Sequence, residues 1–379
     1  MQESVRRLFP QDRQQFWRAV IEDAGRIREI RLRVERPVEI RRVDGDCYLD
    51  AEGNFTGRQE AAHCMDRREL EAILMHICHD SPYAFEDELK QGFLTVPGGH
   101  RIGLAGQVVQ DENGRIRTMK HIGYLNIRIS HQIFGVAEGI LPYVYEKGEL
   151  QNVLIVSPPG CGKTTLLREL VRKVSDGSIY AKGMQVSVVD ERSELAGSYL
   201  GVPQNDLGSR TDVLDACPKA QGMLLLLRSM APQVLAVDEL GDAEDLAALR
   251  AAAACGCKTM ATAHGANLED VTERFRGSGE WCLFDRIILL GKQDGQPVVE
   301  RIYRRDRQGE DGNAFVGWNI DPGRLSGTWT MVSKSIYRQR KGTAESCKNI
   351  GNAPERDPLW KVDNAGMLQS SCGTGGRTL

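Results

Sequence analysis

The apolar residues keep two different rhythms, and the change between them falls near residue 145. Before it, short alternating runs dominate. Between Ile27 and Val43, Ile30, Leu32 and Val34 share one face and charged residues the other, with Val38 and Ile40 beyond Pro37, which predicts a half-exposed antiparallel hairpin. Leu70, Ile73, Leu74 and Ile77 recur at helical spacing between Glu69 and His79, behind Asp66 as a cap. A second helical pattern lies near Ala84 to Lys90. GFLTVPGGHRIGLAGQVV and, past an Asn113-Gly114 turn, HIGYLNIRIS predict short strands punctuated by glycine. Residues 1–145 are therefore expected to form a small α+β domain.

From Leu150 to about Arg304 the rhythm becomes strand, helix, strand, helix, which predicts a mainly parallel sheet covered on both faces, in a domain spanning 146–321. Beyond Asp321 the apolar periodicity fades into Gly-, Ser- and Asn-rich sequence, and residues 322–379 read as a poorly ordered tail. No internal repeat is evident.

Composition narrows this picture. No run approaches the about 20 apolar residues of a membrane span, no apolar signal segment follows the Arg-rich start, and the expected location is cytoplasmic. Ten scattered cysteines without a C-x-x-C pair imply reduced thiols. His63, Cys64, His76, Cys78 and His79 fit no zinc spacing and read as core and surface positions. A net charge of −3 argues against wholesale nucleic-acid binding, although eleven arginines crowd the first 42 residues. Arginines on outer strand faces account for that cluster; an acidic partner or an anionic membrane surface is the functional alternative.

The chemistry concentrates in NVLIVSPPGCGKTTLLREL. Val153 to Val156 make an apolar strand, Ser157, Pro158, Pro159, Gly160, Cys161 and Gly162 a turn, and Lys163, Thr164 and Thr165 open a helix. Backbone N–H groups in such a loop hold a triphosphate such as ATP, Lys163 reaches its β- and γ-phosphates, and Thr164 ligates Mg²⁺. The pattern G-x-x-x-x-G-K-[ST] is met except that Ser157 stands first, where glycine is expected to suit the turn better. In QVLAVDELGD, Asp238 and Glu239 follow an apolar strand about seventy residues later. Asp238 is expected in the Mg²⁺ shell, usually through water, and Glu239 to deprotonate the attacking water. Two more strand tips converge on the same edge: Asp190, Glu191 and Glu194 as a second acidic cluster, Thr262 and His264 as a γ-phosphate sensor. Phosphoryl transfer also needs an outside cation, and Arg101, Arg128, Arg210 and Arg228 are the candidates.

SPPGCGKTTLLREL, VVDERSELAG, the stretch from Gly208 to Gly241, ATAHG and the N-terminal segments around Ser81–Val109 and Asn126–Ile140 together resemble the stage III sporulation AA proteins, relatives of the type II secretion and type IV pilus ATPases. The resemblance covers roughly Ile27 to Arg304. It implies a RecA-like P-loop NTPase core of the AAA+ kind behind a smaller α+β domain, and a Mg²⁺-dependent ATP hydrolase. The enzyme would act at the mother-cell face of the membrane around the forespore, with membrane proteins of a channel complex. It assigns Asp238 and Glu239 to the Walker B pair, Asp190 and Glu191 to an acidic box and His264 to a histidine box. It further implies a homo-oligomer, expected to be a hexamer, in which Arg101 and Arg128 reach a neighbour's site, and an arginine-rich start that docks on membrane partners. Three other readings remain: a RecA-like ATPase acting on nucleic acid, for which no aromatic stacking platform is present; a small-molecule kinase, disfavoured by Glu239; and a nucleotide switch without turnover.

Overall fold

Alternation along Ile27–Arg33 buries Ile27, Ile30 and Leu32, and this strand, β1, becomes the centre of a seven-stranded antiparallel sheet. The computed structural model describes residues 1–79, 81, 85, 89–90, 92–275, 283–293, 295–306 and 314–318, all within one compact body, Met1–Tyr337. Short helices α1 (Gln2–Arg6) and α2 (Arg18–Glu22) come first. β2 (Glu39–Arg42), β3 (Gly45–Leu49) and β4 (Phe55–Thr56) lie to one side of β1; β7 (Ile116–Arg128), β6 (His100–Gln110) and β5 (Phe93–Val96) lie to the other. The predicted hairpin is present, with Ile30 opposite Ile40, but β1 is paired on both edges because Leu32 also faces Leu125 of β7.

α3 (Arg67–Ile77) buries Leu70, Ile73, Leu74 and Ile77 as its spacing predicts. Asp66 accepts the Glu69 N–H at 2.7 Å and Glu69 accepts the Asp66 N–H at 3.2 Å, a reciprocal cap worth about 1 kcal/mol. The pattern near Ala84 to Lys90 falls largely outside the described residues.

The expectation of short, glycine-broken strands does not hold: β6 and β7 run eleven and thirteen residues. Of the glycines inside them, Gly106 marks a bend in the hairpin. At Gly106 a Cβ would stand 2.7 Å from the Lys120 carbonyl oxygen, where the register slips by a bulge. Most arginines of the first 42 residues form ion pairs within the chain, several of them on its surface. Arg7, Arg13, Arg18, Arg26, Arg31, Arg33, Arg41 and Arg42 each meet a carboxylate of the same chain.

After α4 (Leu141–Val144) and the small β8 (Tyr145–Glu146) and β9 (Glu149–Leu150) ribbon, the second sheet begins. It contains β10 (Val153–Ser157), β11 (Val186–Asp190), β12 (Thr211–Asp215), β13 (Val234–Val237), β14 (Lys258–His264), β15 (Arg286–Gln293), β16 (Gln296–Asp306) and β17 (Ala314–Trp318). Its spatial order is β12-β11-β13-β14-β10-β15-β16-β17, parallel up to β15 and antiparallel beyond. Both faces are covered, as full burial along β10 requires. Val153 and Ile155 pack with Leu166, Leu170 and Val174 of α5 (Lys163–Asp176). Leu154 and Val156 pack on the opposite side with α6 (Lys219–Ser229) and α7 (Ala243–Ala254). α8 (Leu268–Phe275) follows β14. The tail expected over 322–379 lies outside the described residues.

The two sheets meet through polar contacts close to the carboxyl edge of the second. Gly98 N–H donates to Gln204 at 2.9 Å, His79 faces the Tyr199 hydroxyl at 3.1 Å, Gly135 N–H donates to Glu169 at 2.9 Å, and Arg101 donates to Glu194 at 3.3 Å.

Candidate functional site

The loop after β10 is shaped by two glycines. Gly160 and Gly162 hold φ of +71° and +84°, a region in which a Cβ is strained. Ser157 differs: it is the last residue of β10, extended and in register with His264. The first position of the motif therefore has no left-handed backbone to accommodate, and the expectation that serine suits it poorly is corrected. The Ser157 hydroxyl donates to the Pro158 carbonyl at 2.7 Å. Cys161 is buried, with its thiol toward Pro159 O. No side chain caps the start of α5, which leaves its first N–H groups to an anion.

Lys163 is only 6 % exposed, so its ammonium must be satisfied locally. It donates to the carbonyl oxygens of Ser157 at 3.1 Å and Pro158 at 3.4 Å, and lies 3.1 Å from His264 Nδ1. Lysine has no acceptor, so Nδ1 must accept and the imidazole proton belongs on Nε2. Nε2 in turn donates to Glu239 Oε1 at 2.9 Å.

The strand order makes this junction possible. β14 lies between β10 and β13, so Thr262 and His264 project between the phosphate loop and the acidic pair. Thr164 donates to Asp238 Oδ2 at 2.7 Å, and Thr262 donates to Asp238 Oδ1 at 2.5 Å. The Thr262 hydroxyl also accepts the Glu239 N–H at 2.8 Å. Glu239 sits at φ +54°, unusual for a residue with a side chain, and Thr262 holds that strained turn twice, its hydroxyl accepting the Glu239 N–H and its carbonyl the Leu240 N–H at 2.8 Å. The Thr164 hydroxyl beside the Asp238 carboxylate is a hard oxygen pair that fits Mg²⁺, which takes one or two carboxylates and completes its shell with water and substrate phosphates. Among the described residues no group of three or more His, Cys, Asp or Glu is placed to hold a metal ion. His63 instead meets Glu69 at 2.8 Å, and Cys78 is buried in the first core.

The turn after β11 ties four elements together with four consecutive side chains. Glu191 pairs with Lys219 of α6, Arg192 with Glu239 at 2.9 Å, Ser193 donates to Asp215 of β12 at 2.7 Å, and Glu194 pairs with Arg101 of β6. Asp190 stands behind them, 2 % exposed, accepting the Glu194 N–H at 2.9 Å and the Ala196 N–H at 2.7 Å. Burial raises its pKa against the pull of those N–H groups. Asp190 therefore braces the turn at the back of a cleft that it lines together with Glu191, Arg192, Glu194, Lys219, Asp238 and Glu239. Arg168 of α5 completes the brace, donating to the carbonyl oxygens of Leu195 and Glu194. Burial lowers its pKa, and Asp190, Asp238 and Glu194 counter that effect.

The four arginines proposed as outside cations separate. Arg101 lies 3.6 Å over the Phe93 ring and bonds Glu194 of its own chain. Arg128, directly across the β6–β7 ladder from Arg101, is exposed. Arg210 donates to the Ser175 carbonyl at the end of α5, and Arg228 is exposed in the last turn of α6. Arg192 and Arg168 escape sequence reasoning. The usable signal was a lone cation inside the acidic run DERSE, at a strand tip.

The profile of the family described as Sporulation stage III, protein AA matches residues 1–311. Stage III sporulation protein AA of Bacillus subtilis (strain 168) is 43 % identical over 282 residues, which cover 74 % of this chain and 87 % of that protein. An uncharacterized protein ycf45 of Porphyra purpurea is 29 % identical over 176 residues, 46 % of this chain and 30 % of that one. Among solved structures, the Yersinia pseudotuberculosis ATPase DotB superposes with a TM-score of 0.50 at 16 % identity, covering 88 % of this chain and 87 % of that chain. The fold is that of the RecA-like secretion ATPases: a mainly parallel core preceded by a smaller α+β portion.

Proposed function

Because the chain belongs to the sporulation stage III protein AA family, we propose that it is an ATP hydrolase that drives a secretion-like or channel complex between mother cell and forespore. One observation carries this reading: the Thr164 hydroxyl of the phosphate loop and the Asp238 carboxylate lie in direct contact, with Glu239 next in the chain. In this reading the loop from Ser157 to Thr165 and the start of α5 bind the triphosphate, and Lys163 turns from the Ser157 and Pro158 carbonyls to its phosphates. Thr164 and Asp238 would hold Mg²⁺, which would supply charge neutralisation to the transferred phosphate. Glu239 accepts a proton from the attacking water. The water oxygen bonds to the γ-phosphorus as the bond to the β–γ bridging oxygen breaks, and that electron pair leaves with ADP. His264, between Lys163 and Glu239, senses the γ-phosphate, and Glu191 with Lys219 orders the cleft wall.

Residues 1–145 and 146–321 act as two domains moved against each other by the cycle. The working particle is a ring, expected to be a hexamer, with Arg128 the better placed of the two N-terminal arginines to reach a neighbour. Arg101 is already bonded within its own chain. Among the described residues no helix is long and apolar enough to cross a membrane. In this reading the protein acts from the mother-cell side through membrane partners. Lys163→Ala and Glu239→Gln are each expected to abolish steady-state phosphate release from ATP. Hydrolysis surviving in both purified variants would overturn the assignment.

A further inference from the structure

Glu239 has neither carboxylate oxygen free. Oε1 accepts from His264 Nε2 at 2.9 Å, and Oε2 accepts from Arg192 Nη1 at 2.9 Å. Each oxygen keeps a second lone-pair site, so the two contacts orient the carboxylate and put a cation on Oε2 in competition with water. The two restraints differ in kind. His264 is bracketed by Lys163 and fixed on β14. Arg192 stands on the turn with its side chain 64 % exposed, and its contact with Glu239 is its one hydrogen bond among the described residues. An exposed ion pair of this sort is weak and readily exchanged.

We infer that Arg192 is a γ-phosphate contact supplied by the same chain, and that it trades Glu239 for the terminal phosphate when ATP is bound. Such a contact presupposes the nucleotide site proposed above. A guanidinium offers five N–H donors in a planar fork that suits two phosphate oxygens better than one carboxylate oxygen. The cleft it borders also holds Asp238, which contacts Thr164 of the phosphate loop. One movement then has two effects: a cation reaches the charge that develops on the γ-phosphate oxygens, and Glu239 Oε2 is released to take the proton from water. ADP, lacking the terminal phosphate, would leave Arg192 on Glu239, so the site would idle again after each turnover.

The distinguishing property is selectivity for the third phosphate. Binding of ADP and of a non-hydrolysable ATP analogue, both with Mg²⁺, is measured by calorimetry on the full chain, on Arg192→Ala and on Arg192→Lys, together with kcat and KM for ATP. Loss of one charge-assisted contact predicts a weakening of about 10- to 100-fold for the analogue in Arg192→Ala. ADP affinity should stay within about twofold, which also reports that the site is folded, and Arg192→Lys should fall between. Equal weakening for both nucleotides, or none, overturns the inference, as does a kcat that rises when the arginine is removed. A wild-type chain that binds neither nucleotide overturns the nucleotide-site reading itself.

Discussion

Burial decides the charge of His100. Its ring is fully enclosed, Nδ1 accepts the Ser130 N–H at 3.1 Å, and Nε2 therefore carries the proton and donates to Ser4 at 3.0 Å. Burial lowers its pKa to about 4, with His131 adding repulsion. The unfolded chain binds the proton near pH 6.5, so the stability tied to neutral His100 is complete above that pH. It is lost progressively as pH falls toward 4, amounting to roughly 3 kcal/mol. His100→Asn should be less stable than the wild type at pH 7 yet lose less between pH 7 and 4.5, as read from urea midpoints; parallel pH profiles would contradict this. Other single residues were legible to very different degrees. Lys163, Thr164, Asp238 and His264 were readable because each belongs to a short motif whose spacing encodes a position. Arg192 was not, since its role depends on where Glu239 arrives in space, 47 residues later. Nor was the left-handed backbone at Glu239, which is set by Thr262 from another strand.

At the scale of elements, periodicity located most of the strands and helices but not their lengths or neighbours. Leu70, Ile73, Leu74 and Ile77 sufficed for α3, since one buried stripe and a cap define a helix locally. Glycine misled along β6 and β7: Gly106 lies inside its strand because the partner backbone comes close, and Gly103 and Gly123 sit in strands with room for a Cβ, none of them at a chain turn. The placement of β14 between β10 and β13 is a long-range fact without a local signal. Asp190 shows the same limit: it lines the cleft as an acidic strand tip suggests, yet both its oxygens also accept backbone N–H groups of the turn. Asp190→Asn would set an amide NH₂ against a backbone N–H and should cost about 2 kcal/mol of stability, seen as a lowered denaturation midpoint. If the variant kept its midpoint and changed only the Mg²⁺ dependence of turnover, the bracing role would be wrong.

For the whole molecule, the change of rhythm near residue 145 anticipated the passage from an antiparallel to a mainly parallel sheet, because the two sheet types bury their strands differently. What it left open was the seam between them. Exposed Arg128 fits a ring in which each site borrows charge from its neighbour, and the rate of ATP hydrolysis per subunit should then climb as protein concentration crosses the monomer-to-oligomer transition seen by mass measurement. A flat rate across that transition would exclude shared sites. The turn from Glu191 to Glu194 has a meaning at this scale too. Its last carboxylate pairs with Arg101 of the N-terminal sheet and its arginine pairs with Glu239, so only a few residues separate the contact to that sheet from the acidic pair. Under the proposed function, a pull on the sheet and the arrival of nucleotide would act on the same short piece of backbone, and resistance from a load would then alter when Arg192 leaves Glu239.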